Sequence, residues 1–267
     1  MQRDDIIRLA QEAGADLIGI APETRWSGWS TANNPRTLLP TCRSVIVLGR
    51  RILRGTMRGI EEGTNFHATY HMFGADWMEH TFMPQMVHAV AHSIEAAGFE
   101  AVPLLGGNVP GAAVQLDAKA LGHAAGLGEV GKGGFFLSRK YGHRQRLAMI
   151  LTDLALEGDP LDEPGFCRDC DACLQACPLQ AYRDTGAAQF VRNDELCRQC
   201  ANGTKRAPAL SFESFDRMAA SCGRACLVAL ESKIENRFQA PFRKRAVWTR
   251  DLDGKCTVTP LTSKEQP

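Results

Sequence analysis

The sequence predicts a mixed fold of the α/β or α+β class, followed by a second part that is rich in cysteine. Helical and extended patterns alternate along residues 1–155, which contain one cysteine, whereas residues 156–230 contain eight. Near this change, GDPLDEPG at 158–165 has the Pro, Gly and Asp content of a hinge. At 267 residues, the chain is long enough for two modest domains, each with its own core.

The N-terminal segment is predicted to form an amphipathic helix that leads into a strand. The strand is DLIGIA at 16–21, and the β-branched run SVIVLGRRI at 44–52 predicts a second strand. The apolar residues that recur at helical spacing ahead of DLIGIA are Ile6, Ile7, Leu9, Ala10 and Ala13.

A long helix is predicted from about Gly74 to Ala97, because its apolar residues repeat at helical spacing and Gly98 is a natural stop. EAVPLL at 100–105 and RLAMILTDL at 146–154 predict further strands. A loop is predicted where turn-forming residues cluster, at Gly106, Gly107, Pro110 and Gly111. Helices and strands therefore alternate through this first part, as in a layered α/β or α+β domain.

Composition and charge exclude several functional classes. The hydrophobic fraction of 44% is ordinary for a globular protein, and no apolar run reaches the ~20 residues of a transmembrane helix. The net charge of +1 gives no general attraction to nucleic acid. The N-terminus has neither an apolar signal core nor a twin-arginine signal, so a cytoplasmic location is expected. Ten cysteines in a reducing compartment then indicate metal or redox chemistry rather than disulfides.

Residues 166–182, FCRDCDACLQACPLQAY, predict an iron–sulfur site. Their four cysteines have the spacing C-x2-C-x2-C-x3-C-P of bacterial ferredoxins, in which the fourth cysteine ligates the other cluster of two-cluster proteins. A [4Fe–4S] cluster needs four converging thiolates, so three come from one turn and the fourth comes from elsewhere. The pattern therefore predicts a second group of cysteines.

That second group consists of Cys197-x2-Cys200 and Cys222-x3-Cys226, which are separated by a 21-residue insertion. Crossing the two groups as ferredoxins do predicts two clusters. The first set of ligands is Cys167, Cys170, Cys173 and Cys226. The second set is Cys177, Cys197, Cys200 and Cys222. Besides the insertion, Leu227 departs from the pattern, since a proline usually follows the last cysteine.

Zinc is the alternative occupant of such cysteine pairs. Structural zinc sites usually use two separated pairs, not three cysteines within seven residues and a fourth before a proline. For the second set, a damaged or three-cysteine site also stays open. Cys42 and Cys256 are interpreted as bystanders, because a free cysteine often behaves as a small hydrophobic residue.

The segment GLGEVG at 126–131 matches the dinucleotide motif G-x-G-x-x-G literally. A dinucleotide site needs this turn after a strand and before a helix. In this chain the preceding DAKALGHAA has a helical pattern and the following KGGFFLS an extended one, which is the reverse order. The glycines are therefore interpreted as allowing tight turns or close backbone approach to a flat group.

Residues 116–178 read LDAKALGHAAGLGEVGKGGFFLSRKYGHRQRLAMILTDLALEGDPLDEPGFCRDCDACLQACP. They contain an AGLGE-x-G-K block, a YG-x-R-x-RL strand, TDL and the first cysteine group. In these motifs the chain resembles corrinoid-dependent reductive dehalogenases and, somewhat less closely, epoxyqueuosine reductases. Residues 67–105 resemble them more weakly, so the resemblance covers about residues 5–230.

The resemblance implies an α+β fold in which a nitroreductase-like cofactor-binding domain precedes a ferredoxin-like domain with two [4Fe–4S] clusters. The implied ranges are 1–155 for a corrinoid-binding domain, 156–233 for the ferredoxin-type domain and 234–267 for a basic C-terminal tail. The clusters would reduce a cobalamin one electron at a time, while the protein supplies orientation and a dry pocket. A flavin in place of cobalamin is the less favoured alternative, by analogy of fold.

The AGLGE block is implied to lie against the corrinoid, because small residues permit close contact. Basic side chains nearby would bind its peripheral amides or its phosphate, or they lie on a solvated strand edge. The candidate cofactor-binding residues are Ala125, Gly126, Leu127, Gly128, Glu129, Gly131, Lys132, Gly133, Tyr141, Arg144 and Arg146, with Arg139 as a further basic candidate.

A reductive cleavage needs a proton donor, and the resemblance indicates two candidates. Asp117 falls near the general acid of epoxyqueuosine reductases, where burial beside a cofactor would raise its pKa. Its alternative role is to cap the helix that follows. Tyr70 falls in the region of the tyrosine donor of dehalogenases, and its alternative role is that of a half-buried core residue.

Two histidine pairs have the i, i+4 spacing of a metal-binding helix face, His67 with His71 and His88 with His92. Neither pair is part of an H-E-x-x-H pattern, so polar histidines on a helix surface are the favoured interpretation.

Three functions remain. The leading one is a short cytoplasmic reductase of a small organic substrate, because the AGLGE block favours a bound cofactor and a pure ferredoxin would not need 150 residues of extra fold. The chain shows no D-x-H-x-x-G segment, so a histidine-ligated cobalamin is not indicated. The second is an electron-transfer protein that reduces the corrinoid of a partner. The third is an RNA-modifying reductase, disfavoured by the near-neutral charge. The expected partners are a small molecule or a corrinoid protein and an external low-potential electron donor, without membrane or nucleic acid.

Overall fold

The computed structural model describes residues 1–62, 67–106, 112–200, 217–218, 220–237, 240, 243, 246–250 and 255–262. Their contacts divide the chain into two units. Unit 1 comprises Met1–Arg51, Glu79–Val130 and Gln145–Pro164, and unit 2 comprises Ile52–Met78, Gly131–Arg144 and Gly165–Pro267. The units interleave along the chain, whereas the domains predicted from the sequence follow one another.

In chain order, the helices and strands are α1 (Arg3–Glu12), β1 (Leu17–Pro22), α2 (Pro35–Leu38), β2 (Ser44–Arg51), α3 (Arg54–Glu61), α4 (Met83–Ala96), β3 (Ala101–Leu105), α5 (Ala118–Ala124), β4 (Glu129–Val130), β5 (Phe136–Leu137), β6 (Gln145–Thr152), α6 (Ala172–Gln175), β7 (Tyr182–Arg183), β8 (Val191–Arg192), α7 (Asp194–Arg198), α8 (Ser221–Leu230), β9 (Ala246–Arg250) and β10 (Cys256–Pro260). A 3₁₀ turn spans Glu23–Arg25, and π-helical segments span His67–Asp76 and Met78–Phe82.

Unit 1 is built on a four-stranded sheet with the strand order β1-β2-β6-β3. Every pairing in it is antiparallel: Ile46 of β2 lies opposite Ile20 of β1 and Ile150 of β6, and Ile150 lies opposite Pro103 of β3. The two central strands correspond to the predicted strands SVIVLGRRI and RLAMILTDL, and they are buried almost throughout. Because the sheet is antiparallel, the α+β class is correct for this unit and the α/β alternative is not.

One face of this sheet is covered by α5, which contacts β1, β2 and β6. Val45 and Val47 of β2 share a buried core with Leu121 of α5 and Met149 of β6. Since side chains alternate between the faces of a strand, Ile46 points to the opposite face. The predicted strands therefore bury both faces, which explains their nearly continuous apolar sequence.

The predicted long helix is correct at its end and wrong at its start. α4 ends at Ala96, and Gly98 follows with a φ of 87°. The α-helical part begins only at Met83, and π-helical turns precede it. Pro84 explains the difference, because proline lacks the N–H that an α-helix needs and its ring collides with the preceding turn.

Unit 2 has an apolar core to which cysteines contribute. Phe135, Leu137, Tyr182 and Phe190 pack there with three buried thiols, those of Cys173, Cys222 and Cys226. The predicted basic tail contains an unforeseen antiparallel hairpin, β9–β10, in which Val258 lies opposite Trp248.

Two predicted segments of the chain lie outside the described residues. They are most of the predicted loop, Gly107, Pro110 and Gly111, and the insertion between the cysteine pairs up to residue 216. Among the helices of the described ranges, none is long and apolar enough to cross a membrane.

Candidate functional site

The eight predicted cluster ligands all lie in unit 2. In the first group, Cys173 is in α6 and Cys177 follows that helix by two residues. In the second group, Cys197 is in α7, while Cys222 and Cys226 are one turn apart in α8. α6 and α8 contact each other, so residues far apart in the sequence are brought together.

The structure groups the first set around Cys226. The thiol of Cys226 interacts electrostatically most with those of Cys167, Cys173 and Cys170, and less with that of Cys222. Burial raises the pKa of the Cys226 thiol well above its usual value and that of Cys173 to about 11. A thiol must be deprotonated to bind iron, so ligation at this set would release protons.

The second set surrounds a single cavity. Cys177, Cys197, Cys200 and Cys222 all line it, together with Tyr182 and Arg217. The four residues that ferredoxin-like crossing selects from the sequence are therefore neighbours in space. Their soft sulfur donors are those that iron–sulfur clusters require.

Within the described part of the chain, no three His, Cys, Asp or Glu side chains are grouped as ligands of one metal ion. Each cysteine of a [4Fe–4S] cluster binds a different iron atom. The four thiols that bind such a cluster therefore surround it and lie further apart than the ligands of a single ion.

Two glycines of the AGLGE-x-G-K-G region lie directly against the first set. A Cβ atom at Gly131 would be 2.8 Å from the Sγ of Cys167, and one at Gly133 would be 2.7 Å from the Sγ of Cys173. Both distances are too short for any side chain larger than hydrogen. The sequence predicts a close approach in this region, and in the structure the close neighbours are the two thiols and, at Gly131, also the side chain of Leu137.

Arg217 and Tyr182 line the second cavity, and the sequence does not single them out as site residues. The guanidinium of Arg217 is buried, donates a hydrogen bond of 2.5 Å to the carbonyl of Gly133, and also donates to the hydroxyl of Tyr182. Burial raises the pKa of the Cys197 thiol, and the charges of Arg217 and Arg192 oppose this rise. Only the three-dimensional contact reveals Arg217, since it falls between the cysteine pairs without a motif of its own.

In unit 1, the AGLGE segment is held by contacts within the protein. Gly126 has a φ of +77°, and a Cβ atom there would be 2.2 Å from the carbonyl oxygen of Pro160. A Cβ atom at Gly19 of β1 would be 2.4 Å from the carbonyl oxygen of Ala125. α5 precedes this segment and β4 follows it, which is the order that excludes a dinucleotide turn.

Replacing Gly126 with alanine is expected to destabilise the protein. A φ of +77° is unfavourable for alanine, and the methyl group of alanine would collide with the carbonyl oxygen of Pro160. The backbone conformation alone costs roughly 1–3 kcal/mol. Urea unfolding measures the change. Gly28→Ala is the matched control, since Gly28 has open space around its Cβ position. Equal stability of the two variants would contradict this account of the turn.

Two predicted corrinoid contacts, Arg144 and Arg146, are engaged within the protein. Arg144 is fully buried and donates 2.8 Å hydrogen bonds to the carbonyls of Ile52 and Asn236. Arg146 forms a buried ion pair of 3.2 Å with Glu79. These contacts favour structural roles for both guanidinium groups.

Other basic and aromatic candidates near the block have different surroundings. Lys132 donates to the carbonyl of Arg168 at 3.0 Å, and Arg139 is exposed. Tyr141 is buried, with the ammonium of Lys140 5.3 Å from its ring centre.

The two candidate proton donors differ sharply in exposure. Asp117 is exposed and caps α5, since its carboxylate accepts hydrogen bonds from the backbone N–H groups of Lys119 and Ala120. Tyr70 is fully buried in the π-helical segment, where its ring packs against the backbone of Gly74. The structure thus shows the capping role for Asp117 and a fully buried, not half-buried, Tyr70.

The remaining candidates have ordinary surroundings. His88 and His92 are exposed on α4 with ring centroids 6.2 Å apart, as expected for surface histidines. His71 is half-buried, while the side chain of His67 lies outside the described set. Cys42 is buried, and burial raises the pKa of its thiol to about 11, which suits an inert residue. The side chain of Cys256 is also outside the described set.

Comparison with known sequences identifies relatives of two kinds. The chain is 31% identical over 180 residues to the epoxyqueuosine reductase of Synechocystis sp., covering 67% of this chain and 58% of that protein. It is 36% identical over 102 residues to the tetrachloroethene reductive dehalogenase of Desulfitobacterium hafniense, covering 37% of this chain and 17% of that protein. The chain therefore spans little more than half of the first relative and a smaller part of the second. No known protein-family model matches it.

Two solved structures share the fold. Epoxyqueuosine reductase from Bacillus subtilis, with its aspartate catalytic loop swung out of the active site, has a TM-score of 0.57 at 17% identity and covers 90% of this chain and 68% of that chain. A reductive dehalogenase described for B12-dependent dehalogenation has a TM-score of 0.57 at 20% identity and covers 88% of this chain and 32% of that chain. At these identities the likeness establishes a mixed fold of helices and strands alone. The sequence relatives confirm the resemblance inferred from residues 116–178.

Proposed function

We propose that this homologue of epoxyqueuosine reductases and reductive dehalogenases is itself a reductase, in which two [4Fe–4S] clusters pass electrons to a corrinoid for reductive bond cleavage of a small organic substrate. The observation that carries the proposal is the second cavity. Its four thiols come from three separate segments of the chain, and they are the four that ferredoxin-like crossing selects.

The two sets of cysteines would hold the clusters. The first set adjoins Gly131 and Gly133, whose missing side chains leave room for the Sγ atoms of Cys167 and Cys173. The second set shares its cavity with Arg217 and Tyr182. When bound, each cluster supplies one-electron transfer at low potential. An apolar core surrounds the thiols of Cys173, Cys222 and Cys226 and limits the access of water to them.

The corrinoid rests on the sequence relatives and on the AGLGE block. Of the residues predicted to lie against it, Leu127 and Glu129 are half-buried. Gly126 instead lies close to the backbone of Pro160. We also propose that the clusters have low reduction potentials and that unit 1 has a nitroreductase-like arrangement. Reduced cobalt would supply the electrons for bond cleavage, and the protein would supply the proton.

An RNA-modifying reductase is the second candidate, and one comparison favours it. The alignment with the Synechocystis epoxyqueuosine reductase covers 67% of this chain, whereas that with the Desulfitobacterium dehalogenase covers 37%. A related epoxyqueuosine reductase has been solved with an epoxyqueuosine-modified tRNA stem loop. The net charge predicts that nucleic acid is not a partner, but these comparisons do not support that prediction. They support a small organic substrate and an RNA substrate equally.

Metal content tests the proposal. Protein purified without oxygen from a host supplied with cobalamin is expected to contain about eight irons per chain, as two cubane clusters require, and about one cobalt. Elemental analysis measures both. Eight irons without cobalt would replace the enzyme by an electron-transfer protein, and fewer than four irons would remove the iron–sulfur assignment itself.

The same preparation, reduced chemically, separates the two substrates. One arm supplies 3-bromo-4-hydroxybenzoic acid, the ligand of a solved reductive dehalogenase, and the other supplies an epoxyqueuosine-containing tRNA stem loop. Bromide release in the first arm supports the small-molecule reductase. Loss of epoxyqueuosine in the second arm alone would transfer the assignment to RNA modification.

A further inference from the structure

A buried positive charge stands at the edge of the second cavity. Arg217 lines this cavity together with the second set of cysteines, and the residue is only 6% exposed. An arginine remains protonated under all ordinary conditions, so burial does not remove its charge. The positive charge is therefore a fixed feature of the second cavity.

The guanidinium is held rigidly by groups on several sides. Its donors reach the carbonyl of Gly133 at 2.5 Å and the hydroxyl of Tyr182. Its central carbon lies 4.4 Å from the ring centre of Phe135 and 5.7 Å from that of Tyr182. Tyr182 in turn donates to the Gly133 carbonyl at 3.2 Å. These polar partners and aromatic faces leave the charge little freedom to move away from the cavity.

We propose that Arg217 sets the reduction potential of the cluster bound by the second set of cysteines, raising it by stabilising the reduced form. This inference rests on the proposed function, because it requires a cluster in that cavity. Reduction adds one negative charge to the cluster, and a fixed cation beside it in a poorly polarisable interior favours the more negative state. Net charge, hydrogen bonds to sulfur and solvent exposure are the factors that set the potentials of such clusters.

The effect is expected to be unequal between the two clusters. Arg217 lines the cavity of the second set directly. Toward the first set, the peptide of Gly133 intervenes: its carbonyl accepts the bond from Arg217, and its Cα side faces the Sγ of Cys173. Removing the charge should therefore shift the second potential more than the first. Arg217 is thus a positioning and tuning residue and not a ligand.

Redox titration of the purified, anaerobic protein tests the inference, with electron paramagnetic resonance following each cluster. Arg217→Gln and Arg217→Met both remove the charge, and methionine suits the apolar surroundings. In each, the equilibrium constant for one-electron reduction of the second cluster is expected to fall at least tenfold, which is about 59 mV. Arg217→Lys keeps the charge and should lower the potential less. Arg183→Gln is the control, because Arg183 lies on β7 beside Tyr182 but is exposed to water, which screens its charge.

The outcomes separate this inference from the proposed function. Wild-type protein with fewer than about eight irons would overturn the function before any potential is measured. Full iron content with an unchanged second potential in Arg217→Gln or Arg217→Met would overturn the tuning role alone. Loss of the second cluster in both variants would likewise overturn it, since Arg217 would then be needed for assembly and not for potential.

Discussion

Replacing Cys226 with serine is expected to remove the first cluster and leave the second, whereas Cys222→Ser is expected to do the opposite. The two cysteines are one turn apart in α8, so uncrossed ligation would assign both to the same cluster. In the structure the Cys226 thiol interacts most with those of Cys167, Cys173 and Cys170, whereas Cys222 lines the second cavity. Each variant should therefore retain about four of eight irons per chain.

Reference variants identify which cluster remains. Cys170→Ser removes a ligand of the first set, and Cys200→Ser removes a ligand of the second set. The electron paramagnetic resonance signal of Cys226→Ser should therefore match that of Cys170→Ser. The signal of Cys222→Ser should match that of Cys200→Ser. Cys42→Ser is the control for handling and oxidation, because Cys42 is buried in the core of unit 1 and belongs to neither set. If Cys226→Ser and Cys222→Ser leave the same signal, the crossed assignment is wrong.

The local part of this site is readable from sequence because cysteine spacing on one turn determines which thiols converge. The pairing across α6 and α8 follows from the same pattern by analogy with ferredoxins. Arg217 does not follow from it, since a buried cation is defined by what packs around it. The close approach of Gly131 and Gly133 is predictable from glycine itself, but the identity of the neighbours is a property of the folded chain.

Some elements of the fold are likewise predictable from the sequence, and others are not. β2 and β6 are predictable because strands buried on both faces have nearly continuous apolar sequences. The start of α4 is missed because the apolar spacing continues through the π-helical turns, and Pro84 is the one residue that marks the change. The β9–β10 hairpin is missed because its polar and basic flanks resemble those of a solvated tail.

Replacing Tyr70 with phenylalanine is expected to lower kcat for a halogenated substrate by roughly 10²- to 10⁴-fold, the usual contribution of a positioned proton donor. The substitution removes only the hydroxyl and keeps the ring that packs against Gly74. A tyrosine, with a usual pKa of about 10, carries its proton at neutral pH. Asp117 instead uses its carboxylate to accept hydrogen bonds from two backbone N–H groups at the start of α5, which is a structural role.

Asp117→Asn is the matched comparison, because asparagine caps a helix as well as aspartate but has no acidic proton. With the halogenated substrate it should change kcat by no more than a few fold. With an epoxyqueuosine-containing RNA it should lose turnover if Asp117 has the acid role that the resemblance to epoxyqueuosine reductases implies. Iron content and thermal unfolding must match the wild type in both variants, so that only proton donation differs. Unchanged turnover in Tyr70→Phe would exclude the tyrosine, and a loss in Asp117→Asn on both substrates would make the helix cap itself the acid.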